Sequence, residues 1–428
     1  MKKGLAVFLL VMLLVLIASC GLKTETEEST VGKTETKQET EKKELVVCVE
    51  SRSFLDNSML RSQLYEYIDP ECERIKFMFL PGDGADREAA CSRIRVELMS
   101  GGGPDVFMVS CSEYEENLFQ NVEKNMRMGM FLPMDRYVGE TEQKLLDEQP
   151  QVLLDAGRTE EGQLVLPLMY TLPIFVIEKN DTIENEGPFK TWDALYEASE
   201  QDEAIHMVVS EQRFLWQPAR FGVLGNYDKE KITLTQKEVE EIIAEDAAIE
   251  DVVSIQDEAM AGAANGDVFS FSEEDAHIMG LQRGMQIYKG VQELTKYEDR
   301  SVLAVYNNQG GLTARVTGIA AVNRNTAYPE DAVKIATVLY NDVFQAMQYE
   351  KKITPGFGMQ SLAYISSVTT GKNSPYWHLL EPYVEEINAV RFYSDMETAL
   401  GRFGSAHPGT PEEQAENIVS RIKMMMAE

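Results

Sequence analysis

Few side chains of this chain are suited to catalysis or metal binding. Its 428 residues include 4 histidines. His206, His277, His378 and His407 are scattered without helical or hairpin spacing, so no metal site follows from them. Of the 5 cysteines, Cys48, Cys72, Cys91 and Cys111 lack the close pairs of a zinc site. Cys48 and Cys111 lie inside apolar runs and read as core thiols; a chain this long needs no disulfide staples, and a single disulfide is the alternative. Also missing are a Gly-x-Ser-x-Gly elbow, a His-Glu-x-x-His helix, a Walker loop and a dinucleotide fingerprint. No enzyme activity and no cofactor are therefore expected. A glycosidase is the exception that spacing leaves open, because its two carboxylates need not be neighbours in sequence.

Positive charge is short as well. Against 71 Asp and Glu stand 40 Lys and Arg, a formal net charge of -31. A body so acidic repels phosphate backbones, which argues against nucleic acid as a partner. The leading apolar run, Leu5 to Ile17, is shorter than the ~20 residues of a bilayer span. Lys2 and Lys3 precede it, Ala18 and Ser19 end it, and Cys20 follows at once, the order of a lipoprotein export signal. We expect residues 1–19 to be that signal and Cys20 to carry the lipid; a plain signal with an incidental cysteine is the alternative. Two acyl chains hold a protein stably at a membrane, so the expected location is the cell membrane, facing the exterior. Residues 20–44 are mostly Thr, Glu and Lys, too polar to offset chain entropy, and read as a lipidated disordered tether.

Beyond the tether the pattern is α/β. Leu45 to Val49 and Ile75 to Leu80 read as strands, with an amphipathic helix over Asn57 to Tyr67 between them. Ala90, Ile94 and Leu98 mark the apolar stripe of a helix, which Gly101, Gly102 and Gly103 end. Pro104 bars a return to helix, and Asp105 leads into the apolar strand Val106 to Val109. This β-α-β-α-β order implies a parallel sheet with right-handed crossovers. Pro81 to Gly84 and Gly101 to Asp105 are read as turns at its ligand-binding strand ends. Further on, Leu172 to Ile177 and Ala204 to Val209 read as strands. Thr191 caps a helix carrying Trp192 as a packing residue, and Lys229 to Ala244 is a charged helix. Strands follow over Leu303 to Tyr306 and Val316 to Val322, then a helix from Pro329, and helices near Tyr376 to Val390 and Pro411 to Met425.

Four stretches come in a telling order: SGGGPDVFMV, GMFLPMDRYV, LVLPLMYTLPIFVIEKND and FKTWDAL. Together, over Arg87 to Ala198 and again from Gly310 to Gly358, they resemble the extracellular solute-binding lipoproteins of bacterial ABC importers, especially the sugar-binding group with a maltose-binding-protein-like fold. The resemblance implies two lobes, each a mixed, mainly parallel sheet with flanking helices and each discontinuous in sequence. Residues 45–160 and 301–350 would form the first, 161–300 and 351–428 the second. It implies a monomer that takes a small solute, most often a carbohydrate, by hinge closure and passes it to importer membrane subunits. Aromatics near the cleft would stack on sugar rings; the candidates are Tyr170, Trp216, Tyr306 and Phe357, with Asp105 and Asn307 for hydroxyls. The chain departs from the family at Val176, Ile177 and Glu178, where members carry an aromatic pair and an asparagine. A receptor or scaffold lipoprotein of the same fold, presenting its state to a sensor, is the second reading.

Overall fold

The computed structural model describes residues 44–50, 68, 74–82, 84–111, 117–211, 217–226, 231–247, 300–340, 377–392, 400 and 409–427. The expected signal, Cys20, the tether, the helix over Asn57 to Tyr67, Cys72, Trp216 and Phe357 lie outside them. Among the described residues no helix is long and apolar enough to cross a membrane, and no group of three or more His, Cys, Asp or Glu could hold a metal ion.

The expected parallel unit is present. β1 (Leu45–Glu50) lies between β2 (Ile75–Leu80) and β3 (Val106–Ser110), parallel to both, with Val47 opposite Phe77 on one side and Val106 on the other. Helix α1 (Gly84–Met99) crosses between β2 and β3 and buries Arg87, Cys91, Ile94 and Leu98 along one face. It stops where Gly101 turns to φ 83°, a conformation that costs glycine least, and Gly102 N–H reaches back to Glu97 O at 2.9 Å. Strand side chains alternate between two apolar layers, so both faces of the sheet are covered. Val47, Met108 and Ala320 pack with Ala332 and Ile335 on one side. Cys48, Phe107 and Ala321 pack with Ile94, Phe119 and Phe131 on the other.

The chain then runs through α2 (Val122–Arg127), α3 (Glu140–Asp147), α4 (Gln151–Ala156), the small hairpin β4 (Arg158–Thr159) and β5 (Gly162–Gln163), and the long β6 (Val165–Thr171). A second region follows with β7 (Ile174–Glu178), α5 (Asp181–Glu186), α6 (Trp192–Gln201), α7 (Glu203–Glu211), the hairpin β8 (Gly225–Asn226) and β9 (Lys231–Ile232), and α8 (Gln236–Ala247). β10 (Arg300–Ala304) pairs antiparallel with β7. β11 (Leu312–Val322), α9 (Pro329–Thr337), α10 (Trp377–Val384), β12 (Ile387–Phe392) and α11 (Pro411–Ala427) follow in chain order, and α9 returns to the β1–β3 sheet. α8 and α11 share one core through Val239, Ile242, Val419 and Ile422. Phe175, Leu195, Val208 and Leu303 belong to another.

Two sequence expectations are corrected. The run Ala204 to Val209 is helical in α7, not a strand: Ile205, Val208 and Val209 are buried at i, i+3 and i+4, the spacing of a helix face. The helix expected up to Val390 ends at Val384, and Ile387–Phe392 is strand β12, with Ile387 and Ala389 buried and Asn388 between them exposed. As expected, Thr191 caps α6 by accepting from Ala194 N–H at 3.3 Å, and Pro329 opens α9. Trp192 is half-buried against its neighbours, with the Arg220 guanidinium 3.8 Å from its ring centroid.

α7 owes its start to Asp202. One carboxylate oxygen accepts from Ala204 N–H at 2.9 Å and Ile205 N–H at 3.2 Å. The other accepts from Asn180 Nδ2 at 2.7 Å and Thr182 Oγ1 at 3.1 Å. Partial burial works against the charge, but these donors outweigh it and hold the carboxyl below its ordinary value. A folded-state value lowered in this way stabilises the protein above the unfolded carboxylate range and stops doing so as the pH falls through it. Asp202→Ala is expected to cost about 1 kcal/mol at neutral pH, with the gap to wild type narrowing below about pH 4. Urea unfolding of both proteins across that range checks it; a gap that stays constant with pH would contradict the assignment.

Candidate ligand-binding site

β11 is the strand that joins the two regions. Its residues from Gly318 to Val322 pair antiparallel with β3, Gly318 opposite Ser110. Its residues from Leu312 to Val316 pair parallel with β12, Val316 opposite Phe392. β6 runs along the other edge of β11, from Thr171 opposite Arg315 to Val165 opposite Ala321. Because β6 fills that edge, β3 and β12 must lie end to end on the remaining one, and their directions make both carboxyl ends converge on Thr317. The β6 pairing shifts register between Val316 and Gly318 and again between Gly318 and Ile319. This is the same place at which β11 changes neighbours. Carboxyl ends of strands are where open α/β sheets bind ligands, and here the ends of two sheet portions face one another.

Thr317 is tied to β3 through its carbonyl, which accepts from Cys111 N–H at 2.8 Å and from Ser110 Oγ at 3.4 Å. Its own hydroxyl has no hydrogen-bond partner among the described residues. An unmet buried hydroxyl costs roughly 1–3 kcal/mol, a cost that any partner gained on a change of conformation would relieve. Beside it, the carboxyl ends of β1 and β3 meet in a buried ion pair: Glu50, 2% exposed, bonds Arg87, 1% exposed, from the first turn of α1. Cys48 and Cys111 flank the pair as free, buried thiols. Burial pushes both thiols well above the ordinary range, reinforced by the Glu50 charge at Cys48 and by Glu123 and then Glu50 at Cys111, as suits thiols that serve packing.

Of the side chains picked out from sequence, four are described, and the structure does not bring them together at this junction. Asp105 lies at the amino end of β3. Its carboxylate accepts from Val46 N–H at 2.8 Å and Thr326 Oγ1 at 2.7 Å, so it clamps β1 to the turn after β11. The Gly101 to Asp105 corner is thus at the end of the sheet opposite to the expected one. Asn307 is spent on its own turn: its oxygen accepts from Gln309 N–H at 2.9 Å and Gly311 N–H at 3.2 Å, and its nitrogen donates to Thr313 Oγ1 and Asn388 Oδ1. Tyr170, opposite Val316, is the one candidate beside the junction, yet its ring is 1% exposed within the core.

Tyr306 is 7% exposed and belongs to a polar cluster at the amino end of β12. At ~3.3 Å per residue along β11, the five steps from Leu312 to Thr317 put that cluster ~17 Å from the junction. Lys190 Nζ bonds Glu386 Oε1 at 2.8 Å and sits 5.6 Å from the Tyr306 ring centroid. Burial first, then the Glu386 carboxylate that its hydroxyl meets, pushes the Tyr306 phenol far up. Glu386 is partly buried, which opposes its charge, but the bonds from Lys190 and Tyr306 hold it below the ordinary range. This cluster latches the loop before α6 onto the turn before β12.

No family model and no curated protein matches the chain. Solved structures do. An extracellular solute-binding protein of family 1 from Alicyclobacillus acidocaldarius subsp. acidocaldarius DSM 446 aligns with a TM-score of 0.50 at 13% identity, over 90% of this chain and 98% of that one. The cyclic alpha-maltosyl-1,6-maltose binding protein of Arthrobacter globiformis aligns with a TM-score of 0.51 at 13% identity, over 89% and 98%. The fold is that of an extracellular solute-binding protein. The structure of a de novo designed esterase aligns as well, with a TM-score of 0.52 at 13% identity over 90% and 98%. The solute-binding fold therefore does not by itself separate binding from turnover. What it supports is the two-lobed, mainly parallel α/β architecture expected from the sequence. Glu50, Arg87 and Thr317 were not singled out in sequence. A charged residue closing the apolar run LVVCVE, and an arginine in the first turn of the helix after PGDG, were the available signals.

Proposed function

We propose that the protein is a lipid-anchored substrate-binding protein of an ABC importer, facing the cell exterior, that captures a sugar or oligosaccharide by hinge closure. The observation that carries this reading is the meeting of β3 and β12, end to end, on one edge of β11. Small rotations at the irregular stretch Val316 to Ile319 would swing one sheet portion against the other. Contacts made by both portions exist only when they close, so a solute bound between them shifts the population toward closure. In this reading residues 45–160 and 301–350 form the first lobe and residues 161–300 and 351–428 the second, with β10 the point of contact between them through its pairing with β7. Thr317 and Ser110 supply hydroxyls at the junction, and Trp216 and Phe357 are the aromatic candidates for stacking. The acidic body leaves nucleic acid out.

Thermal unfolding with a panel of linear and cyclic malto-oligosaccharides and manno-oligosaccharides tests the reading. A micromolar ligand at 100 times its Kd adds about 2.7 kcal/mol to the folded state, so at least one member should raise the melting temperature. It should also be recovered intact after long incubation. No shift with any member would favour the receptor or scaffold reading, and cleavage of the bound glycan would make the protein a hydrolase.

A further inference from the structure

We propose that Glu50 and Arg87 form a positioning pair that holds the carboxyl ends of β1, β2 and β3 in the arrangement a bound solute requires. This rests on reading that edge as the ligand-binding one. Glu50 is the last residue of β1, and Arg87 is among the largest fully buried side chains. The contact is a two-pronged fork: Arg87 Nη1 meets Glu50 Oε1, and Nη2 meets Oε2 at 3.1 Å. Nη1 also donates to the carbonyl of Pro81, the first residue past β2, at 2.8 Å. From the third strand, Ser110 N–H approaches Glu50 Oε2 at 3.4 Å. One pair therefore touches the end of every parallel strand in the unit.

Stability does not account for it. Removing two charges from water offsets most of what their attraction returns, and apolar residues of similar volume do as well or better in such places. The surrounding core shows that alternative, with Leu80, Ile94 and Val109 fully or nearly fully buried. What an apolar pair cannot supply is direction. The rigid guanidinium fork fixes the carboxylate plane and, through Pro81 O, the exit of β2. Ser110, which with Cys111 bonds Thr317 O, approaches the same carboxylate through its N–H. Loosening it would free the β3 end at the junction with β12 while leaving the buried faces of the sheet packed.

The test uses the full mature chain with both residues replaced, Glu50→Met together with Arg87→Met, and separately Arg87→Lys, which keeps the charge and loses the fork. Amide hydrogen exchange is followed along β3 and β11, together with affinity for an oligosaccharide that raises the wild-type melting temperature. We expect both proteins to unfold cooperatively. Exchange at Ser110 and Cys111 should quicken at least tenfold while Ala320 and Val322 keep their wild-type rates, and affinity should fall at least tenfold. Wild-type exchange at Ser110 and Cys111 would overturn the proposal. So would a uniform quickening of the whole sheet, which marks a purely structural pair, or local quickening with unchanged affinity. If the double variant does not fold, the lysine variant decides by the same criteria. If no oligosaccharide binds the wild type, the functional reading fails, while the exchange pattern still shows whether the pair holds the three strand ends.

Discussion

Arg87→Met alone should destabilise the protein by about 3–5 kcal/mol, the range found when one partner of a buried pair is removed. The reason lies in what stays behind. Glu50 is 2% exposed, and without the guanidinium its carboxylate keeps, among the described residues, only the long 3.4 Å approach of Ser110 N–H. Pro81 O loses its 2.8 Å donor in the same step. The single variant should therefore be much less stable than the paired Glu50→Met with Arg87→Met, although it carries fewer changes. Urea unfolding of the two side by side is the measurement. A single variant within about 1 kcal/mol of wild type would mean that water reaches Glu50 or that the carboxylate finds another donor.

Gly157→Ala should cost about 3 kcal/mol or more, at the upper end for an inserted methyl in a packed region. Conformation is not the obstacle, since φ is -92° there. Space is. An added Cβ would stand 1.9 Å from Val165 O, 2.8 Å from its carbonyl carbon and 3.0 Å from Gln163 Nε2. Backbone atoms cannot rotate away, and this backbone is pinned: Gly157 O accepts from Leu164 N–H at 2.9 Å and Val165 N–H at 3.1 Å. Relief would require α4 to part from the start of β6, and with it the Gln163 side-chain bonds to Leu154 O and Val165 O. Gly222→Ala is the control. Its Cβ would meet Gln309 side-chain atoms, the nearest at 2.4 Å, and Gln309 is exposed and able to swing aside. Thermal unfolding should rank the two far apart; equal losses would refute the backbone argument.

The sequence was most legible where local signals agreed. Apolar spacing, the glycine corner and Pro104 defined α1 and β3 together, and the parallel unit followed from their order. It was least legible where a short apolar run could satisfy either period. Ile387–Phe392 has only six residues and directly follows a helix, and its strand character comes from lying along β11. Propensity alone does not decide such a segment. Missing β12 also hid the junction, since the convergence on Thr317 exists only once β12 is placed. The four described candidates do not gather at the junction for a related reason. Turn chemistry marks that a strand ends, not which end faces the ligand, and Asp105 and Asn307 are turn residues whose polar atoms are already engaged, Asp105 by β1 and the turn after β11, Asn307 by its own loop, Thr313 and Asn388. Burial of Tyr170 and Tyr306 was equally invisible, because an aromatic in an apolar run serves core and cleft alike.

Small-angle scattering with and without a saturating oligosaccharide puts the closure of the two lobes to the most direct test. The account predicts that a member of the panel that raises the melting temperature also lowers the radius of gyration, and that wild type and Arg87→Lys differ in how much ligand this takes. A bound oligosaccharide that leaves the radius of gyration unchanged would contradict closure at the β11 junction.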